Sequence, residues 1–171
     1  MKILDLGCGR KKYAGAVGID VNPGTDADIV WDLNVFPYPL DDNEFDLVIC
    51  DNIIEHLDDP VKVMEELYRI VKPEGLIRII VPYFSSPESF ADITHKRFFS
   101  LTSFDVFNPD DGRSFYSSAR FRVVRRMINF GRLRTYLGIQ FLANAFPHVY
   151  ERHFAYIFPA FSLHFQLKLI K

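Results

Sequence analysis

The sequence predicts an α/β protein whose sheet is mostly parallel and carries an antiparallel C-terminal strand. Short apolar segments alternate with turn and helix signals over the first half of the chain, which is typical of parallel strands joined by right-handed crossovers. A glycine-containing turn follows the first apolar segment, at the position where open α/β sheets bind ligands. Residues 162–171 instead alternate apolar and polar side chains, which indicates a strand with one solvated face.

Five apolar segments are the predicted strands of the parallel part: residues 2–6, 16–20, 28–32, 45–51 and 76–84. The fourth, "FDLVICD", is almost uniformly apolar, as expected of a parallel strand that is covered on both faces. A helix is predicted between the fourth and fifth strands. Asp58 or Asp59 can cap this helix and Pro60 fits its first turn. Pro73 and Gly75 end it.

Two later segments, residues 119–130 and 162–171, are predicted to form an antiparallel, hairpin-like edge of the sheet. Polar and apolar residues alternate over part of the first segment and throughout the second. Residues 135–158, which lie between them, are predicted to be helical. Pro147 and Pro159 limit those helices, because proline is excluded from a helix interior.

Length and composition predict one domain over residues 1–171, with a cofactor-binding half (1–84) and a substrate-side and C-terminal half (85–171). Hydrophobic residues make up 49% and charged residues 25% of the chain, ordinary values for a globular protein. Neither a signal peptide nor an apolar run of about 18 residues, the length that spans a membrane, is expected. Cys8 and Cys50 lack metal-ligand spacing, which favours a reducing cytoplasm.

The two ends of the chain differ in charge and in aromatic content. The net charge is −2, yet Glu151 is the single acidic residue in the segment 112–171. Seven arginines lie close together in residues 113–134: Arg113, Arg120, Arg122, Arg125, Arg126, Arg132 and Arg134. We favour a solvated edge strand over an anionic acceptor site or a nucleic-acid surface. For the aromatic region 141–165 we expect burial in the core, with a homodimer interface as the second explanation.

The turn "LDLGCG", residues 4–9, predicts a nucleotide-type cofactor site. Gly7 and Gly9 let the backbone approach a ligand closely, and Asp20 ends the second strand where it can accept hydrogen bonds from ribose hydroxyls. A nicotinamide dinucleotide is disfavoured, because its fingerprint needs a third glycine and a helix N-terminus. Instead, basic residues follow the turn: Arg10, Lys11 and Lys12.

The connection between the first two strands is unusually short. Residues 10–15 cannot form the usual crossover helix, which needs about a dozen residues. We hypothesise that Arg10, Lys11 or Lys12 supplies the positive charge that this helix would otherwise offer to an anionic group. A merely solvated basic loop is the alternative.

Five segments together resemble the class I, type 11-like, S-adenosylmethionine-dependent methyltransferases. They are "LDLGCG" (4–9), "GID" (18–20), "WDLN" (31–34), "FDLVICDNIIEHLDDP" (45–60) and "RIVKPEGLIRIIVP" (69–82), in the order found in that family. The resemblance implies a three-layer, Rossmann-like sandwich with a seven-stranded sheet. It also implies S-adenosyl-L-methionine as cofactor and S-adenosyl-L-homocysteine as product.

The resemblance assigns the cofactor contacts to Asp5, Gly7, Cys8, Gly9, Asp20, Asp32, Leu33, Asp51 and Asn52. Asp20 would hold the ribose hydroxyls, and Asp32, with the Leu33 backbone beside it, would contact the adenine amino group. Asp51 and Asn52 would face the methionine end. The two glycines would pass close to the methionine and ribose portion, and the acid that precedes them would anchor the turn.

His56 and His95 are the candidate catalytic residues, because methyl transfer to oxygen or nitrogen can require removal of a proton. His56 lies at the entrance of the predicted helix. His95 lies in "FADITHKRFFS" (90–100), beyond the fifth strand, and this segment resembles a "DPTHKR"-like stretch of some methyltransferases with Ile93 at the proline position. No metal is expected, because the histidines and acids are not spaced as a ligand set.

The expected acceptor is a small molecule or a saccharide- or lipid-linked group. Two other functions remain open: a catalytically silent S-adenosylmethionine-binding or interaction domain, and an RNA methyltransferase. Nucleic acid is the less favoured acceptor, because the chain is negatively charged overall and has no appended RNA-binding module.

Overall fold

The computed structural model describes residues 1–131 and 138–171, and these residues contain seven strands and four α-helices. The strands are β1 (Ile3–Leu6), β2 (Val17–Asp20), β3 (Ile29–Val30), β4 (Phe45–Asp51), β5 (Val71–Pro82), β6 (Phe121–Asn129) and β7 (Ser162–Leu169). The helices are α1 (Pro60–Ile70), α2 (Glu88–Ala91), α3 (Ile139–Ala145) and α4 (Pro147–His153). Within these described ranges, every helix is too short or too polar to cross a membrane.

The strands form one sheet in the order β3-β2-β1-β4-β5-β7-β6. Strands β1 to β5 pair in parallel, and β7 lies antiparallel between β5 and β6. The predicted fold class and the predicted antiparallel C-terminal strand are therefore confirmed. The chain runs outward from β1 to β3 and then returns to the other side of β1, so the strand order switches between β1 and β4. Ligands of open α/β sheets bind at such a point.

Most strand predictions are confirmed to within a few residues, and β4 coincides with the predicted segment 45–51. Strand β3 is shorter than predicted, with only Ile29 and Val30 in the ladder. Strand β5 begins directly after α1, because Val71 pairs with Phe45 before the ladder shifts and resumes at Leu76.

Helix α1 begins as predicted. The Asp59 side chain accepts hydrogen bonds from the backbone amides of Val61 and Lys62, both at 3.1 Å, and Pro60 is the first helical residue. The buried apolar positions recur at helical spacing: Val63, Met64, Leu67 and Ile70. This apolar stripe packs α1 against the sheet.

The cap of α1 makes a testable contribution to stability. Asp59→Ala removes an acceptor from two amides that have no partner within the helix, so we expect the free energy of unfolding to fall by about 1 kcal/mol. Urea denaturation measures this loss. Asp110→Ala, at an exposed acid outside any helix, is the matched control and should leave the stability unchanged. Equal losses in both variants would contradict the capping role.

The two faces of the sheet are covered unequally in the described residues. The main core contains residues of α1, α3 and α4 together with one face of the sheet, for example Leu4, Ile77 and Phe165. On the other face a smaller cluster contains Ile3, Ala16 and Ile49, and no helical residue belongs to it. The helices are therefore distributed less evenly than a three-layer sandwich implies, because the connections from β1 to β3 are too short for crossover helices.

The aromatic region 141–165 corrects one expectation. Tyr150 and Phe165 are buried, but most other aromatic side chains there are exposed: Phe141, Phe146, Phe154, Tyr156, Phe158 and Phe161. Helix α4 ends at His153, so the four-residue aromatic spacing does not continue along one helix face. Pro147 begins α4, as the predicted helix limit implies. The predicted helical residues 135–137 lie outside the described residues.

Several arginines of the segment 113–134 are tied to the protein itself. Arg126 pairs with Asp105 at 2.7 Å, and Arg113 pairs with Asp111 at 2.9 Å. Strand β6, which carries Arg122 and Arg125, is an edge strand with these two side chains exposed. This placement fits the solvated edge strand favoured from the sequence. Arg132 and Arg134 lie outside the described residues.

Candidate active site

Three adjoining cavities lie at the sheet edge where β1, β2 and β4 end, with volumes of about 210, 260 and 550 Å³. Their lining residues include, in turn, Asp20 and Asp32 (the acidic cavity), Lys11 and Arg78 (the mixed-charge cavity), and His56 and His95 (the histidine cavity). Gly7 lines the first two cavities, and Asn52 lines the second and third. His56 lines the first and third, so each pair of cavities shares a lining residue, and we call the three together the branched crevice.

The acidic cavity brings together the residues predicted to contact ribose and adenine. Asp20, at the end of β2, and Asp32 and Leu33, just beyond β3, line it with Gly7. The Asp32 carboxylate accepts a hydrogen bond from the Asn34 amide at 2.9 Å, which fixes the turn after β3. The residues predicted to contact the nucleoside therefore line one cavity, and the Asp20 and Asp32 carboxylates also accept local backbone hydrogen bonds.

Asp20 fixes the glycine turn as well as facing the acidic cavity. Its carboxylate accepts a hydrogen bond from the Gly9 amide and another from the Asn22 amide, each at 2.9 Å. Gly9 has φ +53°, and a Cβ placed there would meet no described atom within 4 Å. The space beside Gly9 is therefore open, and a side chain at this position would occupy it.

Asp5 anchors the short connection that replaces a crossover helix. Asp5 is buried near the carboxyl end of the central strand β1 and accepts a hydrogen bond from the Tyr13 amide at 2.7 Å. Burial raises the pKa of Asp5 above its ordinary value. The predicted role of Asp5 in the turn thus has a direct structural basis, since its carboxylate holds the loop 10–15 against the sheet.

The mixed-charge cavity contains the residues predicted to face the methionine end. Asp5, Cys8, Asp51 and Asn52 line it together with Arg78 of β5. The Asn52 side-chain amide donates a hydrogen bond to Asp51 at 2.7 Å. Burial raises the pKa of the Cys8 thiol to about 11, so this cysteine is protonated and is no nucleophile at neutral pH.

Arg78 is the cation of this cavity that sequence reasoning missed. It projects from the sheet face opposite the main core, in register with Ile49, and its guanidinium lies 5.5 Å from the centre of the Tyr13 ring. The buried Nε of Arg78 has no hydrogen-bond partner among the described residues. An arginine in the middle of the apolar segment "LIRIIVP" was the available signal, because an unpaired cation is costly inside a sheet.

The three basic residues after the glycines have different positions. Lys12 is bound to the Asp28 carboxylate at 2.7 Å, so it already has a structural partner. Lys11 lines the mixed-charge cavity beside Arg78, whereas Arg10 does not line it. Of the three residues, Lys11 is therefore the remaining candidate for supplying the positive charge that a helix N-terminus would otherwise provide.

The histidine cavity brings His56 and His95 together from distant parts of the chain. Their ring centres lie 4.7 Å apart, and Glu55, Asp92 and Asn52 line the same cavity. The spacing of these residues along the chain gave no reason to expect this cluster. That spacing was also why no metal site was expected from the sequence. Glu55, His56 and His95 in fact place one ligand atom each within 4.8 Å of the others.

Backbone contacts hold His95 beside His56. The Glu55 carbonyl accepts hydrogen bonds from the amides of Lys96 and Arg97, at 2.8 and 3.2 Å. The Lys96 ammonium pairs with the Asp58 carboxylate at 2.7 Å, and the Arg97 guanidinium donates to the Asp58 carbonyl at 2.6 Å. The basic part of "DITHKR" therefore docks this loop onto the segment that leads into α1.

The side-chain contacts of the two histidines define their orientation. His56 Nδ1 lies 2.9 Å from the Thr94 hydroxyl, which itself donates to the Asp92 carboxylate at 2.7 Å. His95 Nδ1 lies 3.2 Å from the Ser89 carbonyl. Burial, and then the neighbouring His95, lower the pKa of His56 below its ordinary value, so His56 is neutral near pH 7.

Glu55 is the buried acid of the histidine cavity. Its side chain is fully buried, and neither carboxylate oxygen has a hydrogen-bond partner among the described residues. Burial raises the pKa of Glu55 to about 7. From the sequence, Glu55 was only the neighbour of His56, and an acid within the apolar stretch "NIIEHL" was the signal of its special position.

Part of the chain matches a known family model. Residues 4–79 match the family model described as a methyltransferase domain. A curated relative, the uncharacterized protein MJ0638 of Methanocaldococcus jannaschii, is 40% identical over 48 residues, which are 28% of this chain and 21% of the relative. The match thus spans about a fifth of that relative's length.

Solved structures show the same fold over almost the whole chain. A SAM-dependent methyltransferase from Archaeoglobus fulgidus is 18% identical, with a TM-score of 0.61 over 98% of this chain and 85% of that one. The YcgJ protein of Bacillus subtilis is 12% identical, with a TM-score of 0.63 over 99% and 92%. The cyclase SpnF, 15% identical, has a TM-score of 0.60 over 98% and 75%. The fold is shared, although the last protein bears the name of a different reaction.

Proposed function

We propose that the chain is a class I S-adenosylmethionine-dependent methyltransferase that transfers a methyl group to oxygen or nitrogen of an acceptor. The methyltransferase-domain match over residues 4–79 and the shared fold support this proposal. The acceptor is a small molecule or a saccharide- or lipid-linked group. The single observation that carries this proposal is the branched crevice, in which the acidic, mixed-charge and histidine cavities share lining residues.

The family and fold imply S-adenosylmethionine as cofactor, and the crevice suits its shape and charge. Asp20 and Asp32 would hold the nucleoside in the acidic cavity, with Gly7 beside it. The amino-acid end is a zwitterion. Its carboxylate matches Arg78 and Lys11, and its ammonium group matches Asp51.

The chain's own residues would position the acceptor and remove its proton. Bound S-adenosylmethionine supplies an electrophilic methyl group on a sulfonium, which is displaced in line, so orientation contributes much of the rate. Asn52 and His56 line the junctions between the cofactor cavities and the histidine cavity. An acceptor in the histidine cavity would place its hydroxyl or amine near His56 or His95, either of which can take its proton.

Methyl transfer to RNA is less supported than transfer to a smaller acceptor. Of the arginines in 113–134, Arg113 and Arg126 are already bound to carboxylates, and Arg120 donates to the Ala119 carbonyl at 2.9 Å.

The exposed aromatic side chains of region 141–165 support the proposal that the chain forms a homodimer. That surface includes a cavity of about 340 Å³ lined by Ile139, Leu142, Ala143, Phe146, Val149, Tyr150, Phe154 and Phe158.

Calorimetric titration with S-adenosylmethionine, S-adenosylhomocysteine and NAD tests the cofactor. We expect binding of the first two only. Asp20→Ala should weaken both by tenfold to a hundredfold, because it removes acceptors for the ribose hydroxyls and releases the Gly9 amide. Asp110→Ala should not change the affinity. Absence of binding to the wild-type chain, or an unchanged affinity in Asp20→Ala, would contradict the proposal.

A further inference from the structure

The cluster of Glu55, His56 and His95 has the composition of a metal site. One ligand atom from each side chain lies within 4.8 Å of the others. Ligand atoms bound to one ion at about 2.1 Å lie at most about 4.2 Å apart, so side-chain movements of less than about 1 Å close the set. We infer that these three side chains bind a divalent first-row transition-metal ion at the wall of the histidine cavity.

The hydrogen bonds of both imidazoles leave Nε2 free to bind a metal. The Ser89 carbonyl can only accept, so His95 Nδ1 carries the proton of that hydrogen bond. The Thr94 hydroxyl donates to Asp92, so it accepts from His56 Nδ1. The lone pair of each neutral ring is therefore on Nε2. Metal-binding histidines typically donate their other ring N–H to a carbonyl or to a hydrogen-bonded acid, as here.

The third ligand is held in a place that is unfavourable without a cation. Glu55 is completely buried, and both of its carboxylate oxygens lack a hydrogen-bond partner among the described residues. A buried carboxylate without a partner costs several kcal/mol unless it is neutralised or coordinates a metal. Its backbone is fixed independently, because the Glu55 carbonyl holds the loop that carries His95. Glu55 thus supplies one proposed metal ligand and positions the loop that carries another, His95.

Two imidazoles and one carboxylate favour a transition metal over calcium or magnesium, which prefer oxygen ligands. Three protein ligands leave coordination positions open, as in catalytic rather than structural sites. The ligands line the largest of the three cavities, next to Asn52 at the junction with the cofactor cavities. If the proposed function holds, an acceptor oxygen bound at an open position would lose its proton more readily, and the two histidines would act as ligands rather than bases.

Titration of chelator-treated, purified protein with Zn²⁺ and with Co²⁺ tests the site without any need for activity. We expect one equivalent of each ion to bind with at least micromolar affinity, and Co²⁺ to produce the visible absorption of nitrogen and oxygen coordination. His95→Ala and Glu55→Gln should each weaken binding by a hundredfold or more. Thr94→Val, which removes the partner of His56 Nδ1, should weaken it by about tenfold to a hundredfold.

Two comparisons separate a real site from a general loss of structure. His153→Ala, at an exposed histidine in α4, should leave binding unchanged. Glu55→Gln keeps the size of the side chain and the carbonyl that anchors Lys96, so its melting temperature in the absence of metal should not fall. Substoichiometric binding, affinity weaker than about millimolar, or equal affinity in His95→Ala would overturn the inference. Binding of S-adenosylmethionine is measured separately, so either proposal can fail alone.

Discussion

Replacement of Gly7 with alanine is expected to lower the free energy of unfolding by about 2–4 kcal/mol and to abolish S-adenosylmethionine binding. Gly7 has φ +70°, which costs other residues about 1–2 kcal/mol. An added Cβ would lie 2.5 Å from Ile53 Cγ1 and 2.9 Å from Ile53 Cβ. Because the Cβ of Ile53 cannot rotate away, the backbone must move, and overpacking of this kind costs about 1–3 kcal/mol.

Two other glycines of the same loop region provide the controls. Gly15 has φ +78° and open space around it, so Gly15→Ala should cost only about 1 kcal/mol and should leave cofactor binding intact. Gly9 is equally open, but its amide donates a hydrogen bond to Asp20 of the acidic cavity, so Gly9→Ala should lose binding with a similarly small loss of stability. Thermal denaturation and calorimetry measure both quantities. Similar stability for Gly7→Ala and Gly15→Ala would show that the contact with Ile53 is unimportant.

Replacement of Arg78 with alanine is expected to weaken S-adenosylmethionine binding by a hundredfold or more. The proposed partner of Arg78 is the carboxylate at the amino-acid end of the cofactor. Removal of one member of a buried charged pair costs about 2–5 kcal/mol, because the remaining charge is left without a partner. Arg78 is suited to this role, since its Nε is buried and unbonded among the described residues.

The Arg78 prediction is checked by calorimetry with two comparison variants. Arg78→Lys keeps the charge but loses the planar pair of donors, so it should fall between the wild type and Arg78→Ala. Arg122→Ala removes an exposed arginine of the edge strand β6 and should bind normally. Adenosine lacks the carboxylate, so its affinity should be the same in all three variants. A parallel loss of adenosine binding would mean that Arg78 supports the fold rather than the carboxylate.

The sequence predicted the parallel sheet, helix α1 and the glycine turn because their signals are local. Helix α1 has its cap, its first-turn proline and its apolar stripe within one short segment. The turn that contains Gly7 and Gly9 needs conformations that few other residues adopt, so its glycines are visible without a structure. Strand β4 is apolar on both faces and is bounded by acids, which made its limits plain.

The remaining features depend on contacts between distant segments. The apposition of Glu55 and His95 arises from backbone bonds to Lys96 and Arg97, which no spacing rule describes. The exposed aromatic residues of region 141–165 were predicted to be buried because hydrophobicity alone does not reveal which short helices pack fully. Arg78 was read as part of an apolar strand, since the face of the sheet it occupies depends on register.

The short segments that join β1, β2 and β3 leave the outer strand β3 weakly held by the sheet. Strand β3 is joined to the sheet through only two residue pairs, Ile19 with Ile29 and Asp20 with Val30, at the outer edge of the sheet. Segments with so few buried contacts open locally at a lower free energy than the core. If a nucleoside binds at the acidic cavity, we therefore expect part of its binding free energy to be used in ordering β3, so that the ligand would complete the packing at this edge of the sheet.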